Sequence, residues 1–367
     1  MFNSKRSILV SDDGLRRVAH SIVAMAGSEV AEAKIVGDHL VDANLSGHDS
    51  HGVGMLPTYI DHVRAGLLKP NTAVKFISDQ AAIMVFDGGR GYGQRVASEA
   101  MAAAIRRCRD TGLTLLTLRH AHHIGRVASY AEQAVAAGML SILFVNVTDH
   151  PPWVAPFGAK QPRFNTNPLC IAMPGTDTTP PLLLDMATSQ VAWGKARVAF
   201  NEKKKLPQGS LIDANGRAST DPRILFEEPL GALCPSGGYK GSGLALMIEL
   251  MAGVLTGGGT IQPGNPRMNG IINNVFGFVI DPQRLVDERW LGREIDALVS
   301  YVKNATPADR HGLVLLAGEP ERVCRAQRLE QGIPIDAASW REIVSAAERV
   351  GLRRGDLKRM METESVP

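Results

Sequence analysis

The chain has 367 residues, 44% hydrophobic and 21% charged, with a formal net charge of +3; that balance belongs to an ordinary globular protein long enough for two domains. Its cations are spread out, and the one short run, 202–206, reads as a solvated loop, which argues against nucleic acid as a partner. No uncharged apolar run reaches the roughly 18 residues that span a bilayer, and the longest contender, 244–255, carries Glu249, so no membrane partner is expected.

The first 14 residues contain no apolar leader pattern, and Cys108, Cys170, Cys234 and Cys324 form no C-x-x-C pair, so a reduced, cytoplasmic setting is expected. Residues 11–46 read as two helices, the first opening at Ser11 with Asp12 and Asp13 in its first turn, the second carrying the stripe Val30, Ile35, Leu40, Val41 and Leu45. Gly27 and Ser28 separate them, and 55–64 is a third, short helix. From residue 80 strands and helices alternate: a strand in "AAIMVFDGG", a helix over 93–109, a strand in "GLTLLTLR", a helix over 127–137 and a strand in "MLSILFVNV". Strands over 170–173 and 182–185 and a helix over 188–200 follow, then an irregular Gly-, Pro-, Asn- and Asp-rich connection over 201–240. The remainder predicts helices over 242–255, 291–304, 319–331 and 337–350, interrupted by the strand "NVFGFVIDP". The pattern is α/β (α+β): a helical domain from both chain ends, 1–79 and 236–367, around an inserted α/β domain, 80–235, with ligand binding expected where they meet.

The densest chemistry lies in "GHDSHGVGMLPTY", 47–59. His51 is a candidate general acid/base, because an imidazole titrates near neutrality, with Ser50 as hydroxyl relay or orienter and Gly52 turning the backbone away. The competing reading is that these are helix-capping groups. A second group, "RHAHHIGR" at 119–126, puts His120, His122 and His123 at a strand end. No H-E-x-x-H or comparable spacing accompanies it, so no metal site is assigned.

Neither G-x-G-x-x-G nor a P-loop is present; Lys195 is followed by Ala196. "CPSGGYKGSGLAL" still has the makings of a phosphate cradle, with Gly237, Gly238, Lys240 and Gly241 opening a helix, though tight packing needs the same glycines. Asp185, at the end of "LLLD", can accept from ribose hydroxyls or cap the next helix. Asn165, Thr166, Asn167 and Pro168 can hold a ligand or shape a turn, and Gly318 and Glu319 begin a further helix.

Six stretches in order, "DSHGVGMLPTY", "HHIGRVASYAEQA", "TNP", "LLLDMATSQVAWGK", "GGYKG" and "LAGEPE" with "GIPID", resemble the second, non-Rossmann type of malate/L-lactate dehydrogenase family, from about residue 12 to 350, the hydroxycarboxylate dehydrogenase members being nearest in motif. The resemblance implies NAD- or NADP-dependent interconversion of a 2-hydroxy acid and its 2-oxo acid, on that family's fold, by a homodimer with active sites near the subunit interface. It places catalysis on Ser50, His51 and His123. It places cofactor contacts on His123, Ile124, Gly125, Asn167, Asp185, Met186, Ala187, Lys240, Gly241, Gly318, Glu319 and Pro320. Several members carry an Arg where this chain has Met55; losing a bidentate carboxylate partner favours a bulkier 2-oxo acid than oxaloacetate. Arg95, Arg126, Lys195 or backbone N–H groups are then the candidates to meet the substrate's charge. Lys195 also stands where the imine-reducing members complete their relay with Asp, which argues against imine chemistry. The alternatives are malate or L-lactate dehydrogenase proper, a metal-dependent hydrolase using the histidines, and a noncatalytic metabolite-binding protein.

Overall fold

A computed structural model describes residues 7–309 and 312–362; the ends of the two outer segments, 1–6 and 363–367, lie outside the described residues. The chain opens with β1 (Ser7–Val10) and the helices α1 (Asp12–Met25), α2 (Val30–Leu45) and α3 (Leu56–Arg64). Ser11 caps α1 as its sequence signature predicts, its hydroxyl accepting from Gly14 N at 3.2 Å.

There follow β2 (Lys75–Gln80), β3 (Ile83–Asp87), α4 (Gly93–Thr111), β4 (Leu113–His122), α5 (Ala128–Ala136), β5 (Leu140–Thr148), β6 (Leu169–Met173), β7 (Leu182–Met186) and α6 (Trp193–Asn201). The stretch expected to be irregular folds into a small antiparallel sheet, β8 (Leu211–Ile212), β9 (Ala218–Ser219) and β10 (Ala232–Leu233). Then come α7 (Tyr239–Ile248), which continues as a π-helix over Glu249–Val254, β11 (Ile272–Ile280), α8 (Glu288–Lys303), α9 (Glu319–Gln331), β12 (Ile333–Asp336), α10 (Ala337–Arg349) and α11 (Arg354–Met361). Among the described residues no helix is long and apolar enough to cross a membrane.

The main sheet has seven strands in the order β2-β3-β4-β11-β5-β6-β7, and only β3 and β4 run parallel. A doubly wound dinucleotide-binding sheet is mostly parallel, so this mixed order accords with the missing glycine fingerprint. Strand β11, predicted as a strand but within the C-terminal part of the helical domain, sits in the middle of the sheet, pairing antiparallel with β4 and β5. The chain has two large apolar cores. In one, Val96, Met101 and Tyr130 of α4 and α5 pack on Phe86, Leu118, Leu143 and Val279 of the sheet. In the other, α1, α2 and α3 bury Leu15, Ile22, Leu40 and Ile60 together with Ile333, Ile335, Ile343 and Leu357 from the far end of the chain. Strand β1 pairs antiparallel with β12, Val10 opposite Ile333, so the first and last described segments share one core.

Candidate active site

The histidine turn lies between α2 and α3. Beyond Leu45 the chain leaves the helix through Gly47 and runs as two short 3-10 turns, Asp49–His51 and Val53–Met55. Asn44 and Arg328 hold this turn. Arg328 of α9 donates to both oxygens of Asp49 (2.6 and 2.9 Å), Asn44 Nδ2 donates to Asp49 Oδ1 (2.6 Å), and Val53 N donates to Asn44 Oδ1 (2.8 Å). Bidentate Arg–carboxylate pairing of this kind fixes orientation as well as charge. The need for Gly52 differs from the expected one. Its backbone is extended, φ −89°, and a Cβ there would stand 2.2 Å from Asn44 Oδ1, so the glycine serves close approach rather than a sharp turn.

His51 meets His123 directly. Their rings stack at 5.2 Å and 20°, with His51 Nδ1 3.1 Å from His123 Nε2. Tyr59 OH lies 2.7 Å from His123 Nδ1, and Gln94 Nε2 donates to Tyr59 OH at 2.6 Å. Proton positions follow from counting donors, with the amide oriented as in the structure. Because the Tyr59 oxygen accepts from Gln94, its own hydrogen goes to His123 Nδ1; the reverse would bury that hydrogen unpaired, costing about 1–3 kcal/mol. His123 then carries its hydrogen on Nε2 and donates it to His51 Nδ1, which leaves Nε2–H of His51 as the end of the chain. Tyr59 is fully buried and His123 nearly so, whereas His51 is partly exposed. Burial is the main reason the His51 imidazole is held down to about 4, with His48 adding repulsion, and His123 lies well below the ordinary histidine value for the same first reason. Both rings are therefore neutral near pH 7.

Five further stretches carry the other expected contact residues. The His123–Arg126 loop joins β4 to α5 and is pinned by Ile124 N donating to Asn273 Oδ1 (2.9 Å) and Arg126 N donating to His39 Nε2 (3.1 Å). Asp185, with Met186 and Ala187 at the end of β7, accepts from Ala128 N at 2.9 Å, so it caps the start of α5 and not the helix that follows it. Burial raises its carboxyl pKa. Gly318, Glu319 and Pro320 open α9 against β7: Leu183 N donates to Ala317 O (3.3 Å), and Arg322 donates to Pro181 O (3.0 Å). Glu319 itself pairs with Lys303 (2.9 Å). Exposed Lys240 and buried Gly241 open α7, where Gly241 packs on Ser236 and Thr188. Asn167 is buried and donates to Ala245 O (3.1 Å) and Glu249 Oε2 (2.7 Å), clamping α7, while its Oδ1 has no partner.

Other expected residues are placed elsewhere. The Ser50 side chain packs on Gly194 of α6 rather than bonding His51, a contact so close that a Cβ at Gly194 would stand 2.0 Å from Ser50 Cβ. Met55 packs against the helical core. Arg126 is 4% exposed and pairs with Glu132 at 2.8 Å, and Arg95 is tied to Glu99 (2.9 Å) and Glu32 (3.2 Å). Lys195 is exposed. His120 and His122 lie within β4, not in the loop after it: His120 pairs with Asp87 (3.1 Å) and His122 with His62 (2.8 Å). Among the described residues no three His, Cys, Asp or Glu side chains form a metal-ligand set. Tyr59, Gln94, Asn44 and Arg328 were missed by sequence reasoning. Tyr59 stood inside the quoted histidine stretch; the other three carried no local signal.

The mixed, mostly antiparallel sheet sets this fold apart from the doubly wound Rossmann type, and the His51–His123 pair joins the α2–α3 turn of the helical core to the end of β4 in that sheet. The sequence profile of the malate/L-lactate dehydrogenase family matches residues 10–344, and the chain belongs to that family of 2-hydroxycarboxylate dehydrogenases. It is 42% identical to hydroxycarboxylate dehydrogenase B of Escherichia coli O157:H7, over 92% of this chain and 93% of that one. It is 40% identical to L-lactate dehydrogenase of Cupriavidus necator, over 94% and 98%. The solved structure of sulfolactate dehydrogenase from Methanocaldococcus jannaschii superposes with a TM-score of 0.83 at 30% identity, covering 97% of this chain and all of that one.

Proposed function

We propose that the chain interconverts a 2-hydroxy acid and its 2-oxo acid with NAD or NADP, and that His51 Nε2 gives and takes the hydroxyl proton. The observation that carries this is the Gln94–Tyr59–His123–His51 chain, which fixes one imidazole tautomer and leaves one partly exposed nitrogen at its end. His123 in this reading holds and polarises His51. The residues beside the pair suit a dinucleotide: Asp185 uses one carboxylate oxygen on Ala128 and keeps acceptor capacity for ribose hydroxyls, and the buried Arg126 Nε, Ser129 Oγ and Asn167 Oδ1 lack partners. The Met186, Ala187 and Lys240 segment borders the same region. When bound, the nicotinamide supplies or accepts the hydride at the substrate's C2. His51 balances that hydride with a proton at the adjoining oxygen, while buried His123 holds its ring in place.

The substrate we infer is a 2-oxo acid bulkier than oxaloacetate. Trp153 and Trp193 stack at 4.0 Å and 9°, with Phe226 5.0 Å from Trp193, forming an aromatic wall at the first turn of α6, next to the Gly194–Ser50 contact. We further infer two domains, a helical one from 1–79 and 236–367 and an inserted one from 80–235, with β11 crossing into the sheet; the two separate apolar cores support this. A homodimer is also inferred, supported by apolar residues left exposed on α7.

The test follows nicotinamide absorbance with pyruvate, oxaloacetate, 2-oxoglutarate, phenylpyruvate and hydroxyphenylpyruvate, with NADH and NADPH separately. Turnover of the aromatic acids above oxaloacetate is expected. His51→Ala should lower kcat by about 10²- to 10⁴-fold, and His123→Ala should lower it less. An unchanged kcat in His51→Ala removes it from proton transfer, and tight NADH binding without any turnover would mark a binding protein.

A further inference from the structure

Several members of the family are expected to carry a carboxylate-binding Arg where this chain has Met55, and the structure places the side chains that sequence suggested as substitutes elsewhere. Arg95 is held by two glutamates, Arg126 by Glu132, and Lys195 is exposed. Met55 itself is packed against the helical core. One cation stands differently. On α6, Gly194 and Arg197 are three residues apart and so share a face. Gly194 touches Ser50, and the Arg197 Nη2 lies 3.7 Å from where a Cβ on Gly54 would be. That face of α6 thus lies along the turn that carries His51, with the guanidinium beside the residue that precedes Met55. Lys195 is turned about 100° around the helix from Gly194. Arg197 is half-buried, and among the described residues it has no carboxylate or other hydrogen-bond partner. A guanidinium held partly out of water with all five donors unspent is unusual, and Gly54, lacking a side chain, leaves its edge uncovered.

We propose that Arg197 is the substrate-binding cation of this site, approaching from α6 to pair with the carboxylate of the 2-oxo acid from the position next to the one where relatives use the turn itself. This rests on the dehydrogenase reading above. Two parallel N–H···O bonds from a planar guanidinium orient an α-carboxylate better than an ammonium can. With the cation supplied from α6, Met55 stays apolar and the pocket keeps room for a larger substrate side chain.

The experiment compares wild type, Arg197→Met, Arg197→Lys and the double variant Arg197→Met/Met55→Arg, each with the best 2-oxo acid and with its uncharged methyl ester. Arg197→Met is expected to raise KM for the acid by roughly 30-fold or more while kcat changes less than about 5-fold. The preference for acid over ester should collapse, which a merely structural role would not produce. Arg197→Lys should fall between, and Met55→Arg should restore part of the acid preference. NADH binding, read by nicotinamide fluorescence, and the thermal midpoint should be unchanged; if Arg197→Met melts early, the acid-to-ester ratio of Arg197→Lys decides in its place. A wild-type KM or an intact acid preference in the Arg197 variants overturns this assignment and leaves the dehydrogenase reading standing. Absence of turnover in wild type overturns both.

Discussion

Four histidines, His39, His51, His122 and His123, are held neutral inside the fold, and burial is the largest cause for each. His39 is pushed down to about 3 and His51 to about 4, against an ordinary value near 6.5. The unfolded chain therefore binds protons below pH 6.5 that the folded chain refuses. Stability from these groups is full above 6.5 and is lost as pH falls toward 4. Each of these two costs on the order of 2 kcal/mol between pH 6.5 and 5, and His122 and His123 act in the same direction. Urea midpoints taken from pH 7.5 down to 5 should fall steadily; a flat profile would mean the rings are charged in the fold. The proposed proton transfer needs the same neutrality, because a neutral His51 can donate from Nε2 and a positive one would lose its bond from His123.

Helix α6 is the element on which the site's geometry depends most. It sets Gly194 against Ser50 and Arg197 against Gly54, so a shift of this helix moves the His51 turn. In Gly194→Ala the new Cβ meets Ser50 Cβ at 2.0 Å and Ser50 Cα at 2.9 Å, which no rotamer relieves. The expected result is a stability loss of about 1–3 kcal/mol with kcat/KM reduced by roughly 100-fold, since displacements near 1 Å cost that much. Gly292→Ala, on α8 with open space around it, is the control and should leave activity unchanged. Sequence periodicity located most elements: α9 begins and ends at the predicted residues, and α1 with its cap, α4 and α5 lie within two residues of expectation. It failed where distant partners decide. Helix α6 starts five residues late because Thr188 N bonds Thr166 O and Gln190 N bonds Cys234 O, holding that stretch extended. Polar β2 and four-residue β1 and β12 exist by pairing, and β11 joins the sheet's centre from over a hundred residues beyond β5. The histidine pair was legible as chemistry. Tyr59 and Arg197 drew no reading from sequence, because what they do depends on what faces them in the fold.

On the scale of the whole molecule, α7 and its π-helical continuation leave an unusual surface. Leu246, Leu250 and Val254 recur every four residues, with Met247 and Leu255 beside them; Met247, Val254 and Leu255 are 52, 54 and 63% exposed. Scattered apolar residues need no explanation, but a stripe of five on one element marks a contact surface. A second copy of the chain is the occupant the family resemblance implies, and the stripe begins nearly two turns beyond Lys240, on the helix that Lys240 and Gly241 open. Sedimentation should therefore give twice the chain mass at micromolar concentration. Replacing Leu250 and Val254 together by Glu should give a monomer with unchanged far-UV circular dichroism, because two buried carboxylates cannot be accommodated across an apolar interface. If that monomer retains full kcat/KM, the active site is complete in one chain; if activity falls with dissociation and returns as concentration rises, the α7 contact supports the site from across the interface. A wild-type chain that sediments as a monomer at every concentration overturns the dimer and leaves the chemistry of His51 untouched.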